Sequence, residues 1–437
     1  MSGKLFICFL LGIGLRLSLF KTSLPSWLES KNEVVTPLTS WERVEEGLAL
    51  QENLISAYAG NNFHESPLLL RILGVFSRWP GGVNLLFVLV DAVVGFVLMK
   101  IAKEFGLYLL QKQKQEVKKY ATNVTKMLHR SKDLRWLQVY VVVMHFFNPY
   151  SIATCLAKST ALFSNLAVLL CFLFTLKGNE LLSTLFIAVA SYQCLYPFVL
   201  TAPVAIYFYR KACPNTDNYS DMKAAGSYIR TSGLVIFWTC LLLGLSFLME
   251  GSWNFLHSTY GFILTVPDLT PNIGVFWYFF TEMFEHFRTF FLCVFQINAV
   301  IFTVPLAITL KDSPVFQMYI LVFLMGIFKS YPSYADAALY FSLLPLWRHI
   351  FQYMRNKFVV GCMYICCSVF APILWHLWIY AGSANANFYF AITLTYSTSE
   401  VFLVTDLLFA FLRRQFDLTN GVDKKLKNGE PAQIILQ

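Results

Sequence analysis

Apolar runs long enough to cross a hydrocarbon core recur in this chain from Leu5 to Phe416, separated by polar connections. A crossing takes about 20 helical residues, and each must satisfy its own backbone hydrogen bonds because lipid offers none. The expected fold class is therefore an all-α polytopic membrane protein, with one membrane domain over residues 1–416 and a tail over 417–437. Composition agrees: 57% of the 437 residues are hydrophobic and 14% are charged, against roughly 25% charged in a soluble domain. The net charge of +9 sits mainly on Lys and Arg in the connections. That is a topology signal, and it argues against a nucleic-acid partner.

The cysteines lie within or beside apolar runs without the paired spacing of a zinc site, so they read as small apolar residues, and no metal or cofactor is expected. Cys366 and Cys367 should point to different helix faces. The run over 5–20 resembles a secretory signal in length, but Arg16 interrupts it and no small-residue cleavage site follows. It reads as an uncleaved first span.

Sidedness follows from the basic connections. Residues 103–135 carry Lys112, Lys114, Lys118, Lys119, Lys126, Arg130, Lys132 and Arg135, which marks that loop as cytoplasmic. Residues 21–80 then face the lumen, together with 251–287 and 381–387. Arg413, Arg414, Lys424, Lys425 and Lys427 put the tail in the cytoplasm with the N-terminus, which requires an even number of spans. About twelve are expected, with Pro149, Pro197, Pro203, Pro332 and Pro345 breaking runs. The sequon at Asn123 should stay unmodified.

Several polar groups stand out against this background. Asp91 inside the second span needs a partner, and Arg16 in the first is a candidate for a structural ion pair. Glu42, Glu45 and Glu46 share helical spacing with Arg43 and read as a salt-bridged surface helix rather than a catalytic base. His64 pairs with Glu65, caps, or orients a ligand. Lys158 and the pair Lys329 and Asp336 lie near membrane depth and expect buried partners or phosphate. Residues 251–287 alternate aromatics with polar residues, either as an anchor in the lipid interface or as a surface for a lipid headgroup. Within it, Asp268, Glu285 and His286 are candidate headgroup contacts. The turn Gly382-Ser383-Ala384-Asn385-Ala386-Asn387 offers amides suited to sugar hydroxyls or a phosphate ester. Lys311 is a candidate for an anionic phospholipid.

The stretches 56–70, NPYSIATCLAKST (148–160), YGFILTVPDLTPNIGVFWYFFTEMFEHF (260–287), FKSYPSYAD (328–336) and WHLWIYAGSANAN (375–387) closely resemble the phosphatidylinositol glycan class U family. The resemblance covers nearly the whole chain. It implies a non-catalytic subunit of the glycosylphosphatidylinositol (GPI) transamidase of the endoplasmic reticulum membrane. Such a subunit would have the GT-C architecture of lipid-linked-sugar mannosyltransferases and would hold the GPI lipid beside a cysteine-protease-like catalytic subunit. It also points to Asn385 and Asn387 as contacts to the GPI glycan or phosphate. The alternative is an active mannosyltransferase using a dolichyl phosphate sugar. Such an enzyme should show paired acidic residues after its first span, and 40–46 contains no Asp.

Overall fold

The computed structural model describes residues 2–213 and 221–422, and its described residues are helical or irregular, without strands. Lys424, Lys425 and Lys427, on which the tail assignment partly rests, lie outside the described residues. Among the described residues five helices are long and apolar enough to cross a membrane: Gly82–Lys119, Met222–Glu250, Glu285–Thr309, Lys357–Ile379 and Ala386–Asn420. A sixth crossing is available if Leu137–Phe146 and Pro149–Leu156, which meet at 50°, act as one. Pro149 causes that break, since its ring cannot sit inside a continuing helix. Asn148 restarts the chain by accepting the Tyr150 N–H at 3.1 Å.

The remaining apolar helices are shorter. Pro314–Phe328, Ala161–Lys177 and Glu180–Cys194 span 15 to 17 residues, below the length one crossing needs. The apolar run 181–207 is cut where Leu195 adopts φ 61° and Pro197 opens a 3₁₀ turn. Such breaks are tolerated at membrane depth because surrounding protein supplies the hydrogen bonds. This is why apolar runs in the sequence do not convert one to one into spans.

Pro314–Phe328 is the axis of the bundle, buried along nearly its whole length. Around it pack the helices Thr201–Ala212, Arg288–Ile301 and Tyr334–Leu343 and the long helix Ala386–Asn420. By contrast, only 6% of the apolar window of Glu285–Thr309 is buried, against 61% for Gly82–Lys119, so the former meets lipid or another chain over most of its surface. Where the first helix, Ser2–Leu19, crosses 82–116 and 137–146, Phe146 fills the space left by two glycines. A Cβ on Gly12 would lie 2.5 Å from its ring, and one on Gly95 2.7 Å.

Arg16 and Asp91 form the expected pair, fully buried at 2.6 Å. Cys366 is exposed and Cys367 buried, on different faces of Lys357–Ile379.

Candidate functional site

The three polar segments 21–80, 251–287 and 381–387 converge at one end of the bundle. Arg43, on the helix Trp41–Glu52, bonds Asp268 of the second segment at 2.8 Å. Tyr389, just past the third segment, donates to Glu33 of the first at 2.9 Å, and Glu33 also accepts the Tyr334 N–H at its carbonyl. Tyr278 of the second segment donates to the Asn387 side-chain carbonyl and stacks on Phe390 at 4.1 Å. Each segment is thus tied to both others.

Local sequence explains each tie. Asp268 accepts from the Thr270 N–H and hydroxyl, an Asx turn that aims its second oxygen at Arg43. Burial pushes the Asp268 carboxyl up, but the hydrogen bonds from Thr270 and the Arg43 guanidinium outweigh it and hold it below the usual carboxylate range. Asn385 caps the helix Ala386–Asn420 by accepting the Asn387 N–H at 3.0 Å. Asn385 and Asn387 are both exposed. Their oxygens are engaged, while among the described residues neither side-chain NH2 has a hydrogen-bond partner. Ser383 is exposed beside them, its N–H on the Leu377 carbonyl at 2.9 Å. Tyr278 lies on the helix Phe276–Glu282, so the exposed Glu282 follows it one turn later on the same face. Glu285 and His286 follow in sequence on a separate 3₁₀ turn, and among the described residues no hydrogen bond, ion pair or ring contact joins them to the Asn385 turn. Both are exposed, and Glu285 is 3.8 Å from Arg288.

Three sequence expectations change in detail. Arg43 pairs with Asp268, 225 residues away, and not with the glutamates of its own helix. Glu45 instead accepts the Trp41 indole N–H at 2.6 Å, and Glu46 accepts from Asn62. His64 does not pair with Glu65: its Nδ1 bonds the Ser258 carbonyl at 2.8 Å and its ring stacks on Phe262, while Glu65 accepts the Thr160 hydroxyl. The aromatics of 251–287 are not mainly an interfacial anchor. Phe255, Phe262, Phe276 and Trp277 are buried, and only Trp253, Phe284 and Phe287 project.

Behind the rim of these three segments lies a small cavity of about 60 Å³ with a mostly apolar wall, into which His64, Glu65, Thr160, Gln193, Lys329 and Asp336 also project. Lys329 and Asp336 pair there at 2.6 Å, and Asp336 completes a capping box with Ser333. Burial brings the His64 imidazole down to about 4 and the Glu65 carboxyl up to about 7. The neutral His64 leaves Nε2 as a buried acceptor without a partner among the described residues. The volume suits a few ordered waters and no larger ligand. Lys158 reaches Glu29 at 2.9 Å. Among the described residues no three His, Cys, Asp or Glu side chains gather as metal ligands would.

Sequence reasoning missed Glu33, Tyr278 and Glu400. Glu400 is buried on the last long helix and accepts the Tyr340 hydroxyl at 2.9 Å, inside a cluster with Tyr364 and Tyr396. Its only signal is a carboxylate within an apolar run. Lys311 lies at the opposite end of the bundle, beside a groove of about 380 Å³ lined by Ala202, Tyr228, Thr303, Val304, Ala307 and Ile308. A second groove, about 490 Å³ and almost wholly apolar, runs between residues 191–201 and the helix Asp221–Glu250 and ends at Tyr260.

Compared with known proteins, residues 10–396 match the family described as GPI transamidase subunit PIG-U. The chain is 40% identical over 442 residues to the GPI-anchor transamidase component PIGU of Homo sapiens, covering 100% of both chains. It is 41% identical to the protein of the same name from Mus musculus, again over both full lengths. It is 30% identical over 412 residues to the GPI transamidase component GAB1 of Saccharomyces cerevisiae, covering 93% of each.

Proposed function

The chain belongs to the PIG-U family of GPI transamidase subunits, and we propose that within that complex it recognises the GPI lipid and positions it without performing the bond chemistry. The reading rests on the rim. Three segments distant in sequence meet where Tyr278, one helical turn before the exposed Glu282, donates to Asn387, and the exposed Asn385 and Asn387 beside Ser383 keep side-chain NH2 groups without a partner among the described residues. Amide N–H donors suit phosphate and sugar oxygens, and the carboxylates suit an amine. Asp268 acts through Arg43, fixing the first segment against the second. Hydrocarbon chains of the lipid lie between the helices.

Holding the lipid so that its terminal amine meets an acyl-enzyme on a cysteine-protease-like partner subunit is a contribution of orientation. Orientation alone accounts for large rate factors in two-substrate reactions. The rim end faces the lumen of the endoplasmic reticulum, and the basic end, with both termini, faces the cytoplasm. The shorter helices combine with the five long ones into about twelve crossings of GT-C type. Lys311, at the cytoplasmic end, contacts an anionic phospholipid.

The mannosyltransferase reading is not favoured. Glu45 and Glu46 are occupied with Trp41 and Asn62, and the relatives are named as transamidase components.

The test is surface display of a GPI-anchored reporter in cells lacking the endogenous chain, rescued by wild type or by Asn385→Ala with Asn387→Ala. Loss of display with the complex intact, and with unprocessed precursor accumulating, supports recognition at the rim. Normal display refutes it.

A further inference from the structure

At the opposite end of the bundle the connection 117–135 folds back over the ends of the helices Gly82–Glu116 and Ala386–Asn420. The Ala121 N–H donates to the Leu418 carbonyl at 3.0 Å, and Gln113 exchanges two hydrogen bonds with the backbone of His129. Beneath this cover is a cavity of about 40 Å³, room for a few waters or one tetrahedral oxyanion. Phe316, Trp347 and Phe411 form its apolar floor.

Its charges do not balance. Arg414 is 94% buried, being 6% exposed. It donates to the Met127 carbonyl at 3.0 Å and lies 3.2 Å from His129 Nε2, yet no carboxylate pairs with it among the described residues, since Asp417 is taken by Arg413. Lys112 enters from the neighbouring helix, with its Nζ on the Asp312 carbonyl at 2.6 Å and the Ser313 hydroxyl at 2.7 Å. Among the described residues Glu116 is the one acid lining the cavity. It stands 3.8 Å from Lys112 and also accepts the Tyr120 hydroxyl. Asp312, just outside, is held by Arg210. Burial, and then the Arg414 charge beside it, bring the His129 imidazole down to about 4, so it adds no charge of its own near neutral pH. Two cations therefore share one partly exposed carboxylate in a partly enclosed setting. A buried guanidinium without a counter-ion is costly, and an anion that accepts from it relieves the cost.

Position narrows the anion. Lys112 lies 30 residues along its helix from Gly82, about 45 Å at 1.5 Å per residue. Arg414 lies 28 residues from Ala386, about 42 Å. A bilayer with its headgroups is roughly 40–45 Å thick, which sets the cavity level with the phosphates of one leaflet.

We propose that this cavity is a binding site for one phosphate group, held by Arg414 and Lys112. Its source is either the phosphomonoester of an anionic phospholipid headgroup or soluble phosphate. The site is separate from the rim and from Lys311, and no step of GPI recognition depends on it. Glu116 sets its affinity by opposing the incoming charge.

The experiment is equilibrium dialysis of the full chain, purified in its native complex, against two radiolabelled probes: inorganic phosphate and dihexanoyl phosphatidylinositol monophosphate. One probe is expected to bind saturably at one per chain, at least ~10-fold more weakly in Arg414→Gln and several-fold more tightly in Glu116→Gln. The opposed signs separate a site from general damage, because loss of a structural contact in either variant has no means of strengthening phosphate binding. Tighter binding of the lipid probe identifies a headgroup site, and equal or tighter binding of inorganic phosphate identifies a soluble ligand. Absence of saturable binding of both probes, or affinities unchanged in the two variants, overturns the proposal.

Discussion

Arg16 Nε lies 2.6 Å from Asp91 Oδ2, with both side chains fully buried, so a charged pair joins the first helix to the long helix Gly82–Lys119 inside the bundle. His145 stands 3.3 Å from the other Asp91 oxygen, and Arg16 also donates to the carbonyls of Gly12 and Phe146. Breaking one partner leaves the other charge buried and uncompensated, at a cost of about 3–5 kcal/mol. Asp91→Ala is expected to lower the midpoint of thermal unfolding and the steady-state level of the chain sharply. Replacing both, Arg16→Met with Asp91→Leu, should restore most of the loss, measured by fluorescence-detected size exclusion after heating.

Tyr278→Phe removes the hydroxyl that fixes the Asn387 amide while keeping the ring stacked on Phe390. One hydrogen bond contributes about 1 kcal/mol, so assembly should be unaffected and reporter display should fall several-fold. Co-precipitation of the complex beside flow cytometry of the reporter distinguishes the two effects.

Glu65 gives stability a pH dependence. Burial raises its carboxyl to about 7 in the folded chain from an ordinary value of 4.5. The contribution is therefore fully present below about 4.5 and is lost as pH rises through about 7, a swing of roughly 3 kcal/mol. Glu65→Gln should flatten the unfolding midpoint between pH 4.5 and 7 and leave the variant at least as stable as wild type at pH 7.5.

Sidedness is open to a glycosylation test. Asn123 packs by Gly421 at the basic end and should carry no glycan. Ile55→Thr creates a sequon at Asn53 in an exposed stretch of the first polar segment, and a glycosidase-sensitive shift on gels is expected there.

Much of this architecture is legible in the sequence because charge is conspicuous in an apolar run. Arg16 and Asp91 can be matched from the sequence alone, since each needs an opposite charge at membrane depth. Pro149 announces its bend for a similar reason, as a missing donor inside a helix. Runs do not reveal their own breaks so readily. Leu195 adopts a conformation that nothing in its residue type signals, and with Pro197 it divides one apolar stretch into two helices. Long-range polar pairing is hidden too. Arg43 has glutamates beside it in sequence, yet geometry gives it Asp268, and Glu33 finds Tyr389 across nearly the whole chain. Local spacing carries no information about partners set by how distant loops return.

The rim draws on residues 33–43, 268–278 and 385–389, so no contiguous piece of the chain contains it. During synthesis the first of these emerges early and the last only when the final helix has been inserted. Contacts of such sequence separation close late in folding. A prematurely ended polypeptide therefore has helices to offer the bilayer but no assembled rim, and completion of the rim doubles as a report that the whole chain has been made and threaded.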